Sequence, residues 1–344
     1  MRTGLRMVCV GALGTVFTAG IFAQQVADPN FDVRVAHPAY VNQHPKILFD
    51  EAHFNFHTAT GRYKPLADLL TNDGYEISAN REKLTAERLQ GFKVLLIANA
   101  LGAERQNSPG ADQPAFTDAE CDAVREWVEA GGALLLIADH APFGLAMEKL
   151  ALRFGVEMSK GSTFDLANYI QDLSNMSFLV FSQENHLLAD HPITRGRDKK
   201  EQVKQVETFT GQSLKGPEGS VALLRLGESA MDRQRPRAGE DQGQVVQQLP
   251  GGIAVPPGAQ VRVNRGGLNT AGTSAAGRAQ GIVLEFGKGR VVVLGEAAML
   301  TAQIVRGPGA QLLGRDEFAM GMNRNENDNR ELALNILHWL TRLI

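Results

Sequence analysis

The feature that most constrains the fold is a set of short, uniformly apolar runs: ILF at 47–49, VLLIA at 94–98, LLLIA at 134–138 and VVVL at 291–294. They are too short for buried helices and read as strands. The stretches between the first three runs carry helical patterns. Strand and helix alternating at this spacing point to parallel pairing with right-handed crossovers. Open sheets of this class place their ligand crevice beyond the carboxyl ends of the strands. The chain keeps six residues capable of metal or proton chemistry there: Asp50, His53, His57, Asp139, His140 and Glu296. The strands that end before Asp50, Asp139 and Glu296 are therefore expected to be parallel neighbours, with the three carboxylates lining one crevice.

The helices are equally legible. Tyr63, Leu66, Leu69 and Leu70 share one face of a helix expected over 62–72, and Gly74 stands where a left-handed residue closes it. Thr117 and Glu120 have capping-box spacing. Cys121, Val124 and Val128 make the buried stripe of the helix that follows, which Gly131-Gly132 ends. Further strands are expected at 76–78, 178–181 and 221–226. The runs at 282–286 and 291–294, joined by Gly287-Lys288-Gly289, read as a hairpin. A last helix over 329–343, with Leu332, Ile336, Trp339, Leu340 and Leu343 on its apolar side, closes the domain. Residues 227–280 shift to Gly, Gln, Arg, Pro and Ala, read as an irregular insertion and are expected to be the least ordered part. Proteolysis should begin there, at Arg233, Arg235 or Arg237.

The first residues speak to location. Arg2 and Arg6 precede an apolar stretch over 7–22, and Ala23 ends a small-residue cleavage site, so 1–23 reads as a secretory signal peptide. Residues 24–45 form a leader, and 46–344 the α/β domain. Loss of Arg2 and Arg6 lowers the net charge from −3 to −5, which argues against nucleic acid or an anionic membrane as partner. The expectation is a periplasmic or secreted protein with no membrane anchor once the signal is cleaved. Of the two cysteines only Cys121 remains, so no intramolecular disulfide forms.

The order of LLIADHAP, DHPITRG, GRVVVLGEAAML and DNRELALNILHWL resembles the class I glutamine amidotransferase-like superfamily. The likeness is to an uncharacterised bacterial branch that carries Asp-Glu-x-His after the first strand. It covers 46–198 and 281–344 and implies a flavodoxin-like, mostly parallel sheet flanked by helices. One departure decides the chemistry: the turn where the enzymatic members hold a nucleophilic cysteine is Ala138-Asp139-His140-Ala141. Cys121 reads as an inert core thiol. Cysteine-dependent glutamine hydrolysis is therefore excluded as an expectation.

Two kinds of chemistry fit the acid and histidine cluster. Imidazole and carboxylate ligands from Asp50, His53, His57, Asp139 and His140 suit a divalent metal such as zinc, iron or manganese. Without a metal, His53 or His140 would serve as general base, oriented by Asp50 or Asp139, with Glu296 facing the same crevice. Ser162 and Ser182 lack the Gly-x-Ser-x-Gly elbow, and no glycine-rich phosphate loop occurs in a strand–turn–helix context. His191 reads as a turn residue in ADHPITRG, His338 as a core or surface residue, His37 and His44 as surface residues, and the polar run 323–329 as a loop ending in a helix cap. Two function classes stand at this point. One is a secreted hydrolase acting on a small polar substrate, with or without a metal; the other is a noncatalytic ligand-binding or scaffold domain on the same fold.

Overall fold

The computed structural model describes residues 24–233, 272–311 and 313–344. The expected signal peptide and most of the expected insertion lie outside them. Five parallel strands form the centre: β1 (Lys46–Asp50), β2 (Glu76–Asn80), β3 (Val94–Ala98), β4 (Ala133–Ile137) and β5 (Gly289–Leu294). They lie in the order β2-β1-β3-β4-β5, the flavodoxin-like arrangement of a doubly wound sheet. Beyond β5 the sheet turns antiparallel. Ala279–Phe286 pairs with β5 through the expected hairpin, and Leu214–Lys215, Glu157–Met158 and Val221–Arg225 extend it to nine strands. The sheet is thus mixed, with the five parallel strands at its centre.

Uniformly apolar strands follow from burial on both faces. Ile47 and Phe49 of β1 and Leu135 and Ile137 of β4 point into one core, with helices α1 (Lys64–Asn72) and α4 (Asn329–Leu340). Leu48, Leu134 and Leu136 point into the other, with α2 (Asp118–Glu129) and α3 (Phe143–Leu152). Each of these side chains is fully buried, a contribution of ~1.5–3 kcal/mol apiece. α1 begins two residues later than its apolar pattern, at Lys64 followed by Pro65, and ends as expected. Gly74 has φ +99°, its amide donates to Thr71 O, and that of Tyr75 to Leu70 O, a Schellman closure. α4 stops at Leu340, so Leu343 lies outside it and is 39% exposed.

The insertion needs correction at its ends. Ala230–Arg233 pairs with Ser162–Asp165 and Thr273–Ser274 in a small sheet, and the long strand of the hairpin begins at Ala279. Arg233, expected to be an early cleavage site, stands in that sheet with its guanidinium over the Phe164 ring. Arg235 and Arg237 lie outside the described residues. The leader is built in as well, since Gln24–Ala27 adds to an antiparallel sheet with Ala302–Arg306 and Glu317–Gly321.

Candidate active site at the strand ends

The carboxyl ends of β1, β3, β4 and β5 lie side by side, but their polar residues sort into two clusters. β4 and β5 are neighbours, as expected for Asp139 and Glu296. β3 stands between β1 and β4, which sets Asp50 apart from the other two.

The first cluster is closed. Asp50 is fully buried, and its carboxylate accepts hydrogen bonds from His53 Nδ1 at 2.8 Å, Asn55 Nδ2 at 3.1 Å and Asn80 Nδ2 at 3.0 Å. The other ring nitrogen of His53 donates to Glu120 Oε1 at 3.0 Å. Glu120 is the capping-box residue: its Oε2 accepts from Thr117 N at 3.0 Å while its own amide donates to Thr117 Oγ1 at 3.3 Å. Burial opposes a charge on His53, but hydrogen bonds and charges from Asp50 and Glu120 outweigh it and raise its pKa above 6.5. Burial likewise opposes ionisation of Glu120, yet Thr117 and His53 bring it down to about 2. An imidazolium held between two carboxylates has no lone pair with which to activate water. His53 is therefore not a free general base, contrary to the sequence expectation.

The second cluster is strained. Asp139 follows β4, and its backbone amide donates to Asn99 Oδ1 at 2.9 Å. Its carboxyl accepts from His140 N at 2.7 Å and from the amide of Ala297. Glu296, fully buried after β5, accepts from Ala298 N at 2.6 Å and Met299 N at 2.7 Å. Burial pushes the Asp139 carboxyl up to about 8. Burial and then the charge of Asp139 push Glu296 well above the usual carboxylate range. Like charges held close in a dry site favour sharing a proton. The hydroxyl of Tyr63, donating to Ala297 O at 2.8 Å, is held protonated by burial and by both carboxyls.

Solvent reaches this cluster through Asp139, whose side chain is 15% exposed, and His140, 34% exposed. His140 Nδ1 lies 2.9 Å from Ala141 O. A carbonyl only accepts, so Nδ1 carries a proton. His140 Nε2 stands 3.8 Å from Asp139 Oδ1. The backbone around the site is also unusual: Phe54, Asn99 and Thr210 have positive φ of 49°, 49° and 72°, and such non-glycine outliers gather at functional sites. Gly211 is required by proximity, because a Cβ there would meet Glu296 Cβ at 2.7 Å. Gln212 then fixes the turn, donating to Ala138 O and Asp139 O, both at 2.9 Å.

The proposed metal set is not assembled. Among the described residues no three His, Cys, Asp or Glu side chains come together as metal ligands. Asp50 and His53 belong to the closed cluster. His57 is buried and stacked on Tyr63 at 4.6 Å, and burial first, then Arg62, lowers its pKa to about 3. Sequence reasoning missed Tyr63, Asn99 and Gln212, and read Glu120 only as a helix cap. Its secondary assignments agree with the geometry. His191 Nδ1 accepts from Ile193 N at 3.2 Å, His338 is buried on Asp73 at 2.7 Å, and Cys121 is buried with its thiol pushed up to about 11. A cavity of about 740 Å³ lies at the other end of the sheet, beside Arg290, Trp339 and Val221, and touches none of the strand-end residues.

No protein-family model and no curated protein matches this sequence. Solved structures do. The N-terminal domain of mmIFT52 aligns over 86% of this chain and 97% of its own, with a TM-score of 0.54 at 15% identity. The fold is shared. A ThuA-like protein from Bacteroides uniformis aligns over 88% of this chain and 95% of its own, with a TM-score of 0.41 at 14% identity. The structure of PurLQS from Thermotoga maritima aligns over 87% of this chain and 100% of its own, with a TM-score of 0.37 at 12% identity.

Proposed function

We propose that the chain is a secreted member of the amidotransferase-like superfamily, without the nucleophilic cysteine, that hydrolyses a small polar substrate at the β4–β5 strand ends. The observation that carries this reading is the Asp139–Glu296 pair, a buried pair of carboxyls raised by burial whose solvent edge, at Asp139, stands 3.8 Å from His140 Nε2. In the proposed reaction His140 Nε2 takes a proton from water, and the resulting hydroxide attacks the scissile carbon. Asp139 gives its proton to the leaving group, and burial, which raises its carboxyl, keeps it protonated until then. The two roles need an acid and a base with separated pKa values. Secretion rests on the composition of residues 1–23, and amino-terminal sequencing of the exported protein tests it.

Turnover on a panel of esters, amides and glycosides tests the chemistry. Hydrolysis by the wild type, lost in Asp139→Asn and His140→Ala, supports it; full activity in Asp139→Asn sinks it. The noncatalytic reading is favoured by one observation, the complete saturation of His53 by Asp50 and Glu120. Ligand binding without turnover on any substrate would select it.

A further inference from the structure

Beside Phe56 and His57 stands a cation that pairs with no described carboxylate. Arg62 is half-buried, its guanidinium lies 4.4 Å from the centroid of the Phe56 ring, and its Nη1 donates to Gln25 Oε1 at 3.0 Å. It forms no ion pair with a described carboxylate, and burial alone lowers its pKa. Arg290, the other described arginine that burial pushes down, has Glu285 Oε1 at 3.5 Å. Buried Arg324 is paired with Glu207 at 2.7 Å. Next to Arg62, His57 is 4% exposed and its Nδ1 has no hydrogen-bond partner. A half-buried guanidinium that meets no described carboxylate, beside an unsatisfied imidazole, is a costly arrangement for a fold to keep.

Three contacts place this patch at the mouth of the strand-end site. The amide of Phe56 donates to Asn99 O at 2.9 Å, its ring lies 5.6 Å from that of Phe143, and His57 stacks on Tyr63, whose hydroxyl reaches Ala297 O. We infer that the substrate carries an anionic group, a carboxylate or a phosphate, which pairs with Arg62 over the Phe56 ring while its reacting bond lies at Asp139 and His140. A planar guanidinium suits either anion by a two-pronged hydrogen bond. The position of the reacting bond rests on the hydrolase reading; the anion site does not.

Calorimetric titration of the whole protein with acetate and with inorganic phosphate separates the two sources. The wild type should bind at least one, more weakly as salt rises. Arg62→Gln should weaken that binding about 10- to 100-fold, with Arg62→Lys in between and an unchanged melting temperature in both. Asp139→Asn should bind the same anion as well as the wild type. Equal affinity in Arg62→Gln and wild type, or no binding of either anion to the wild type, overturns the inference. Because binding is read without turnover, Arg62-dependent binding in a protein that hydrolyses nothing upholds the anion site while the hydrolase reading fails.

Discussion

Two acid clusters sit at the same end of one sheet, and they are built on opposite terms. Around His53, charges alternate: carboxylate, imidazolium, carboxylate, each oxygen also served by an amide or hydroxyl. Around Asp139, like faces like, and burial raises both carboxyls. The first arrangement gains from being dry; the second is opposed by it. Such opposition persists where surrounding structure over-determines it, and perturbed groups at an accessible sheet end mark sites of chemistry. Saturated polarity is architecture, and frustrated polarity is the better pointer to function.

Four outcomes break or sharpen that contrast. The largest is kinetic: Asp139→Asn should lower turnover by about 10²–10⁴ and leave the melting temperature within a few degrees of wild type. Next, His53→Ala should act on stability, because it strands two buried carboxylates; removing one partner from such a set costs ~3–5 kcal/mol, read by urea titration at pH 6. Equal loss of activity at full stability would return His53 to the catalytic role first expected of it.

The third outcome concerns pH and has a different sign in each cluster. His53 has a raised pKa, so its stabilisation is complete below 6.5 and is lost as pH rises through the folded value; Glu120 has a lowered one, so its share is complete above 4.5 and is lost toward pH 2. Stability from the closed cluster should thus peak between these limits. Asp139 has a raised pKa, so the folded chain holds that proton longer than the unfolded one, and stability falls as pH rises from 3.8 to about 8. Turnover should fall on the same basic limb. Glu296→Gln, which keeps an acceptor for only one of the amides of Ala298 and Met299, removes a carboxyl that burial and Asp139 raise, and should flatten the stability loss as pH rises. A stability loss as steep as in the wild type would show that Glu296 contributes none of it. The smallest effect belongs to Cys121→Ser, a buried hydroxyl in an apolar stripe, at ~1–3 kcal/mol with turnover nearly unchanged.

Much of this is legible without the fold. Apolar runs mark β1, β3, β4 and β5, Gly74 marks the end of α1, and Thr117 with Glu120 marks the start of α2, because each is decided by neighbours in sequence. The clusters are not legible in the same way. Glu120 advertises a cap, a role that uses one carboxylate oxygen; that the other reaches His53 across 67 residues is a property of packing. Tyr63 reads as one more apolar residue on a helical face, and nothing local marks its hydroxyl. Asn99 follows an apolar run as any turn residue would. A left-handed φ at a non-glycine position is invisible in a sequence, and it is what distinguishes that residue here. Two strands of the antiparallel half escape for a related reason, since Leu214–Lys215 and Glu157–Met158 are too short to carry a period.

The double role of Glu120 also bears on how the molecule breathes. The first turn of a helix ordinarily frays, and its amides trade hydrogen for deuterium through small local openings. In α2 the residue that caps that turn also holds His53 and accepts from Leu84 N at 3.2 Å. Uncovering the amide of Glu120 therefore means releasing the loop after β1 and the segment before residue 86 together. These amides should exchange as one cooperative unit, at a rate set by the opening of the sheet end rather than by the helix tip.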